Sequence, residues 1–144
     1  AEMNRIFCCH DFEHLLATAR LSWILILESG NPYISREITY AAALLHDIGR
    51  WCEYESSRDH ALCSAELAAP ILREAGFSES ESNFISRAIR QHRSKINDLE
   101  PEHRSPLAEA LCQADRYSRI CFACPSSEEC YKVTEQPHER GLQY

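Results

Sequence analysis

The side chains of this sequence that could do chemistry are its 7 histidines, its 8 cysteines and a few carboxylates in unusual places. His46-Asp47 closes the run Ala41-Ala42-Ala43-Leu44-Leu45 at the end of the most apolar helical pattern in the chain. A carboxylate there opposes the helix dipole and is costly to bury without a compensating cation, which a metal ion would supply. Asp115 poses the same problem beside Ala114, three residues after Cys112, and His14 precedes Leu15-Leu16 on the edge of an apolar face. Three helices would thus each offer an imidazole or a carboxylate toward one interior. Nitrogen and oxygen donors of this kind suit Fe, Mn, Co, Ni or Zn. Taken singly, each residue also has an ordinary structural account. A histidine on an apolar face is commonly a satisfied core residue, His60 falls in the first turn of a helix, and His92 at a helix C-terminus can partner the dipole. Residue type and spacing alone therefore leave open both a polar-cored helical domain and a metal site.

A second array is Cys121, Cys124 and Cys130, a C-x2-C-x5-C pattern after the last periodic segment. Soft thiolates at this spacing suit Zn or an iron-sulfur cluster, with Cys112, Cys8 or Cys9 as a fourth ligand. Free thiols or an opportunistic disulfide are the competing reading. Cys52 and Cys63 read as small buried residues.

These residues must be positioned by helices, because no strand-type alternation of useful length is visible. Apolar residues at Phe12, Leu15, Leu16, Ala19, Trp23, Ile26 and Leu27 predict one face of a helix over 11–28, stopped by Gly30-Asn31-Pro32. Ser35 is a plausible N-cap for a second helix through Ile38, Ala41, Ala42, Leu45 and Ile48 to Gly49, expected to be the central one. The polar stretch Arg50 to Arg58 reads as a loop. A third helix is expected from about Asp59 to Ala75, kinked at Pro70 and ended by Gly76. Ser78 and Glu81 fit a capping box for a fourth, running to His92. Ser105-Pro106 opens a fifth through Leu107, Leu111, Ala114 and Tyr117. The expectation is an all-α bundle of about five core helices over 1–120, with an irregular Cys-containing tail over 121–144 packed on the same domain.

Composition narrows the function. A chain of 144 residues can bury a core without cross-links, and its even spread of helical pattern is unlike a small secreted disulfide scaffold. With 15 Lys and Arg against 22 Asp and Glu, a net charge of -7 argues against a nucleic-acid binder that neutralises many phosphates. The longest apolar run, Trp23 to Leu27, is far short of the roughly 20 residues that cross a bilayer. No leader pattern is visible, so a cytoplasmic location without membrane attachment is expected. The oligomeric state is left open, a homodimer included.

The order of the residues adds a resemblance. His14 followed by Leu-Leu-Ala-Thr-Ala-Arg-Leu, then Ala-Ala-Ala-Leu-Leu-His46-Asp47-Ile-Gly, then Ala-Asp115-Arg, is similar to the HD-domain superfamily of metal-dependent phosphohydrolases over about 10–120. That resemblance implies a helical core and a first metal held by His14, His46, Asp47 and Asp115. His10, four residues earlier, competes with His14, which is preferred because the residues after it match the family's helix. His60 in Asp-His-Ala-Leu-Cys-Ser-Ala-Glu-Leu-Ala, and His92 in Ala-Ile-Arg-Gln-His, resemble the extra histidines of dinuclear members. The pattern is similar to the bacterial symmetrical diadenosine tetraphosphate hydrolases. Arg50 stands where those enzymes usually carry Lys, and Arg93-Ser94 follow His92 where Thr is more usual; these departures bear on the substrate more than on the metals.

What the resemblance implies is metal-assisted hydrolysis of a nucleotide or other small phosphorylated substrate by one or two divalent ions. Asp47 would bridge the ions and orient the attacking water. Arg50, Arg93 and Lys95 would bind phosphate, with Arg50 close enough to the chemistry to be catalytic. Two other activities fit the same ligand set: a mixed-valent di-iron oxygenase, and a metal-holding regulatory module without turnover.

Overall fold

The structure is a computed structural model that describes residues 11–93, 105–119, 121 and 124–130. Within them the chain forms six helices and no strand: α1 (Phe12–Glu28), α2 (Arg36–Leu45), α3 (Arg50–Ser56), α4 (His60–Glu74), α5 (Glu79–Gln91) and α6 (Pro106–Tyr117). The expected all-α class is the observed one.

Local chemistry explains most boundaries. Asp11 caps α1 by accepting from the His14 backbone N–H at 2.9 Å, and Ser35 caps α2 by accepting from Ile38 at 3.2 Å. Asp59 caps α4 through Ala61 N–H at 2.7 Å, and Ser78 with Glu81 forms the expected capping box at α5. Pro106 occupies the first turn of α6. Gly30 and Gly76, which follow α1 and α4, have φ of 68° and 88°, the left-handed region glycine enters without strain.

Helices α1, α2 and α6 pack together, and α4 packs on α5. Helix α2 touches α1, α4, α5 and α6, so it is central, as its apolar sequence predicts. Much of the core is alanine: Ala19, Ala42, Ala43, Ala65, Ala68, Ala88 and Ala108 are buried among Ile26, Ile34, Leu72, Ile85, Ile89, Leu107 and Leu111. Small residues at the crossings let the axes approach and bring side chains from several helices to one centre.

Four expectations need correction. Residues 50–56 are not a loop but the short helix α3, which joins the five expected core helices. This helix has no long apolar stripe of its own; it buries Cys52 and packs on α4. A Cβ at Gly49 would overlap the Ser64 backbone nitrogen and lie 2.7 Å from the Cys63 carbonyl carbon, so only glycine permits this approach. Helix α2 ends at Leu45, and 46–49 form a turn. Helix α4 runs through Pro70 to Glu74, whereas Ser105, at the N-cap position of α6, makes no side-chain capping hydrogen bond, so that start rests on Pro106. Finally, Phe12 and Leu27 are 68% and 59% exposed, so the apolar face of α1 is narrower than its spacing suggests.

Candidate metal centre

The turn after α2 puts His46 at the C-cap of that helix, and His92 is the C-cap of α5. At such positions the last carbonyls lack helical partners. Here each imidazole supplies one: His46 Nδ1–H donates to Ala43 O at 2.7 Å, and His92 Nδ1–H donates to Ile89 O at 2.6 Å. A carbonyl can only accept, so both rings carry their proton on Nδ1 and turn Nε2 inward. His14 is fixed in the same sense from α6. The Ser118 hydroxyl donates to Asp115 O at 2.9 Å and therefore accepts from His14 Nδ1 at 3.2 Å, with Thr18 donating to it at 3.1 Å. His60, the first residue of α4, points Nδ1 at Glu53 Oε2, 2.7 Å away. Four imidazoles from four helices thus present Nε2 to one interior. Successive ring centroids are 5.9 Å (His14 to His46), 5.2 Å (His46 to His92) and 5.5 Å (His92 to His60) apart.

Two carboxylates complete the centre. His14 Nε2 lies 3.2 Å from Asp115 Oδ1, while Asp115 Oδ2 is gripped by Arg119 Nη2 at 2.7 Å. Asp47 Oδ2 lies 3.5 Å from His46 Nε2, and its Oδ1 lies 3.0 Å from His60 Nε2. One ligand atom each from His14, His46, Asp47 and Asp115 falls within 4.8 Å of the others, and Asp47, His60 and His92 form a second such group. Asp47 belongs to both. The buried Nε2 of His46 makes no hydrogen bond, which suits a nitrogen aimed at a cation.

The charges agree with a cation site. Burial would raise the Asp115 pKa, but His14, His46 and Arg119 outweigh it and hold the carboxyl well below its usual range. Burial would depress His46, yet Asp47 and Asp115 leave it above the ordinary imidazole value. His92 goes the other way: burial, with His46 beside it, pushes it down to about 4, so it is neutral near pH 7.

Two arginines reach the edge of the second group. Arg50 Nη1 rests against the His60 ring, 3.0 Å from Nδ1 and 2.9 Å from Nε2, and Arg50 Nε donates to the Tyr54 hydroxyl at 3.3 Å. Arg93 Nη1 lies 3.1 Å from Glu53 Oε1 and 3.2 Å from His60 Nδ1. Lys95 and His10 lie outside the described residues. Cys121 and Cys130 are buried and Cys124 half-buried, on a turn where Cys124 N–H donates to Cys121 O at 3.2 Å. Among the described residues these thiols form no ligand group like the two around Asp47. Cys52 and Cys63 are buried, as expected.

Sequence reasoning missed the supporting residues. Arg119 is legible as an i,i+4 partner of Asp115 on a helix end. Ser118 and Thr18 carry no signal before the helices are assembled, and Glu53 lies in the stretch read as a loop.

Comparison with known proteins agrees with this architecture. A family profile described as HD domain matches residues 11–120. An uncharacterized protein of Clostridium beijerinckii is 34% identical over 129 residues, covering 90% of this chain and 77% of its own. Ribonuclease Y of Acidothermus cellulolyticus is 28% identical over 130 residues, 84% of this chain but only 26% of that enzyme. The crystal structure of a predicted HD superfamily hydrolase from an uncultured Thermotogales bacterium superposes with a TM-score of 0.64 at 25% identity, over 91% of this chain and 79% of that one. With its helical core, its buried His and Asp cluster and this match over most of its length, the chain belongs to the HD-domain family.

Proposed function

We propose that this protein is a hydrolase, specifically a metal-dependent phosphohydrolase with two metal ions, acting on a nucleotide or another small phosphate ester. The observation that carries the reading is the position of Asp47, which belongs to two ligand groups and turns a different oxygen to each. His14, His46, Asp47 and Asp115 would hold one ion, and Asp47, His60 and His92 the other. The donors are all nitrogen and oxygen, a set that suits Fe, Mn, Co, Ni or Zn. When bound, such ions polarise a phosphoryl oxygen and make water a nucleophile near neutral pH.

The chain's own residues supply the rest. Asp47 keeps the two groups in register and orients the attacking water. His92, neutral near pH 7, ligates without first losing a proton. Arg50 and Arg93 converge on His60 from α3 and from the end of α5, where planar guanidinium groups can grip phosphate oxygens in pairs. Lys95, two residues after Arg93, is assigned the same role from sequence. The description of the Thermotogales protein as a hydrolase supports the reaction class. The name ribonuclease Y raises RNA as a substrate, against which a net charge of -7 weighs.

The test is metal analysis of protein purified without added metal, joined to a panel of mononucleotides, diadenosine tetraphosphate, simple phosphomonoesters and a short oligoribonucleotide. Two equivalents of metal with phosphate or nucleotide release from a small ester is the expected result. Dioxygen consumption by the iron-loaded protein without phosphate release, or no turnover with any of the five metals, would contradict it.

A further inference from the structure

Glu53 lies beside the centre but in neither ligand group. It sits one turn into α3, and both of its oxygens are used. Oε2 is 2.7 Å from His60 Nδ1 and 3.7 Å from Arg50 Nη1, while Oε1 is 3.1 Å from Arg93 Nη1. This sets His60 apart from the other three histidines, whose Nδ1 atoms meet a carbonyl or a hydroxyl. An ionised carboxylate can only accept, so it requires a proton on His60 Nδ1 and leaves Nε2 to face Asp47 Oδ1, 3.0 Å away.

We infer that Glu53 is a positioning residue that locks His60 as its Nδ1–H tautomer, aims Nε2 at Asp47 and holds Arg93 at the rim of the site. A carboxylate behind a ligating imidazole fixes the ring and raises its basicity, and loss of such a partner typically weakens metal binding about 10–100-fold. Glu53 reaches this position because Gly49 lets α3 lie close against α4, on which His60 is the first residue. The inference rests on reading His60 as a ligand.

The experiment compares full-length wild type, Glu53→Ala and Glu53→Gln, each labelled with 15N on histidine and titrated with zinc. In the zinc-loaded wild type, His60 should carry a slowly exchanging proton on Nδ1 and bind metal through Nε2. Glu53→Ala should expose that proton to exchange and weaken the second zinc about 10-fold or more. Glu53→Gln keeps an accepting oxygen and should restore the protected proton and most of the affinity. An unchanged His60 spectrum and zinc affinity in Glu53→Ala would overturn the inference, as would a His60 proton on Nε2 in the wild type. Uptake of fewer than two zinc ions by the wild type contradicts the two-metal reading instead, and the His60 spectrum then decides the role of Glu53 alone.

Discussion

His60 Nε2 lies 3.0 Å from Oδ1 of Asp47, the carboxylate oxygen opposite the one that faces His46. A single buried carboxylate therefore stands between two sets of imidazoles. Left without a cation, such a concentration of charge and turned-in nitrogens would be costly to bury.

Removing Asp47 should consequently affect both ligand groups. Asp47→Ala is expected to lose both equivalents of metal while far-UV circular dichroism stays helical, whereas His14→Ala and His92→Ala should each lose one. Elemental analysis checks this directly. Full metal content in Asp47→Ala would mean that the ions sit elsewhere.

Arg119 holds the outer oxygen of Asp115 at 2.7 Å and so keeps the inner one aimed at His14. Arg119→Ala should weaken the ion beside His14 by about 10–100-fold and leave the ion beside His60 nearly unaffected. Competition with a chelator, followed ion by ion, separates the two sites.

The histidines also predict a pH signature for the metal-free protein. His92 is neutral in the fold, with its pKa pushed down to about 4 from an ordinary 6.5. The unfolded chain takes up a proton there before the folded one does, so stability is lost as pH falls through this window. His46 has the opposite sign, because its raised value favours the fold while it is protonated and this contribution fades as pH rises. Urea denaturation of wild type and His92→Ala should therefore show the wild-type advantage shrinking from about pH 6.5 to pH 4. An advantage that stays constant would contradict the burial of a neutral His92.

The same shifts govern metal uptake. The raised value of His46 extends upward the pH range in which it must give up a proton to ligate, whereas His92 near pH 7 is already neutral. Calorimetry in buffers of different ionisation enthalpy should show proton release on metal uptake that grows as pH falls, a trend reduced in His46→Ala and retained in His92→Ala.

Gly49 tests the framework rather than the site. Gly49→Ala should cost about 1–3 kcal/mol as its methyl meets the α4 backbone, seen as a lower Tm. Because α3 also carries Arg50 and Glu53, the variant should bind the second metal ion more weakly as well.

Of the six helices among the described residues, five were legible in the sequence because they carry apolar stripes and start signals: Asp11, Ser35, Asp59 and Ser78 cap four of them, and Pro106 opens α6. Helix α3 was not, since seven largely polar residues fold there through a close approach at Gly49 that no local pattern encodes. His46 and Asp47 stood out because a carboxylate after an apolar helix needs a reason. His60 and His92 stand at helix ends, where histidine has ordinary roles, so residue type and spacing did not single them out; the family resemblance did, and the fold brings them together with Asp47. Glu53 was lost with the helix that carries it.

The most direct measurement is anomalous diffraction from crystals of the full chain grown with zinc or manganese. Two peaks are predicted, one among His14, His46, Asp47 and Asp115 and one among Asp47, His60 and His92, with Asp47 between them. A single peak, or two that do not share Asp47, would contradict the account.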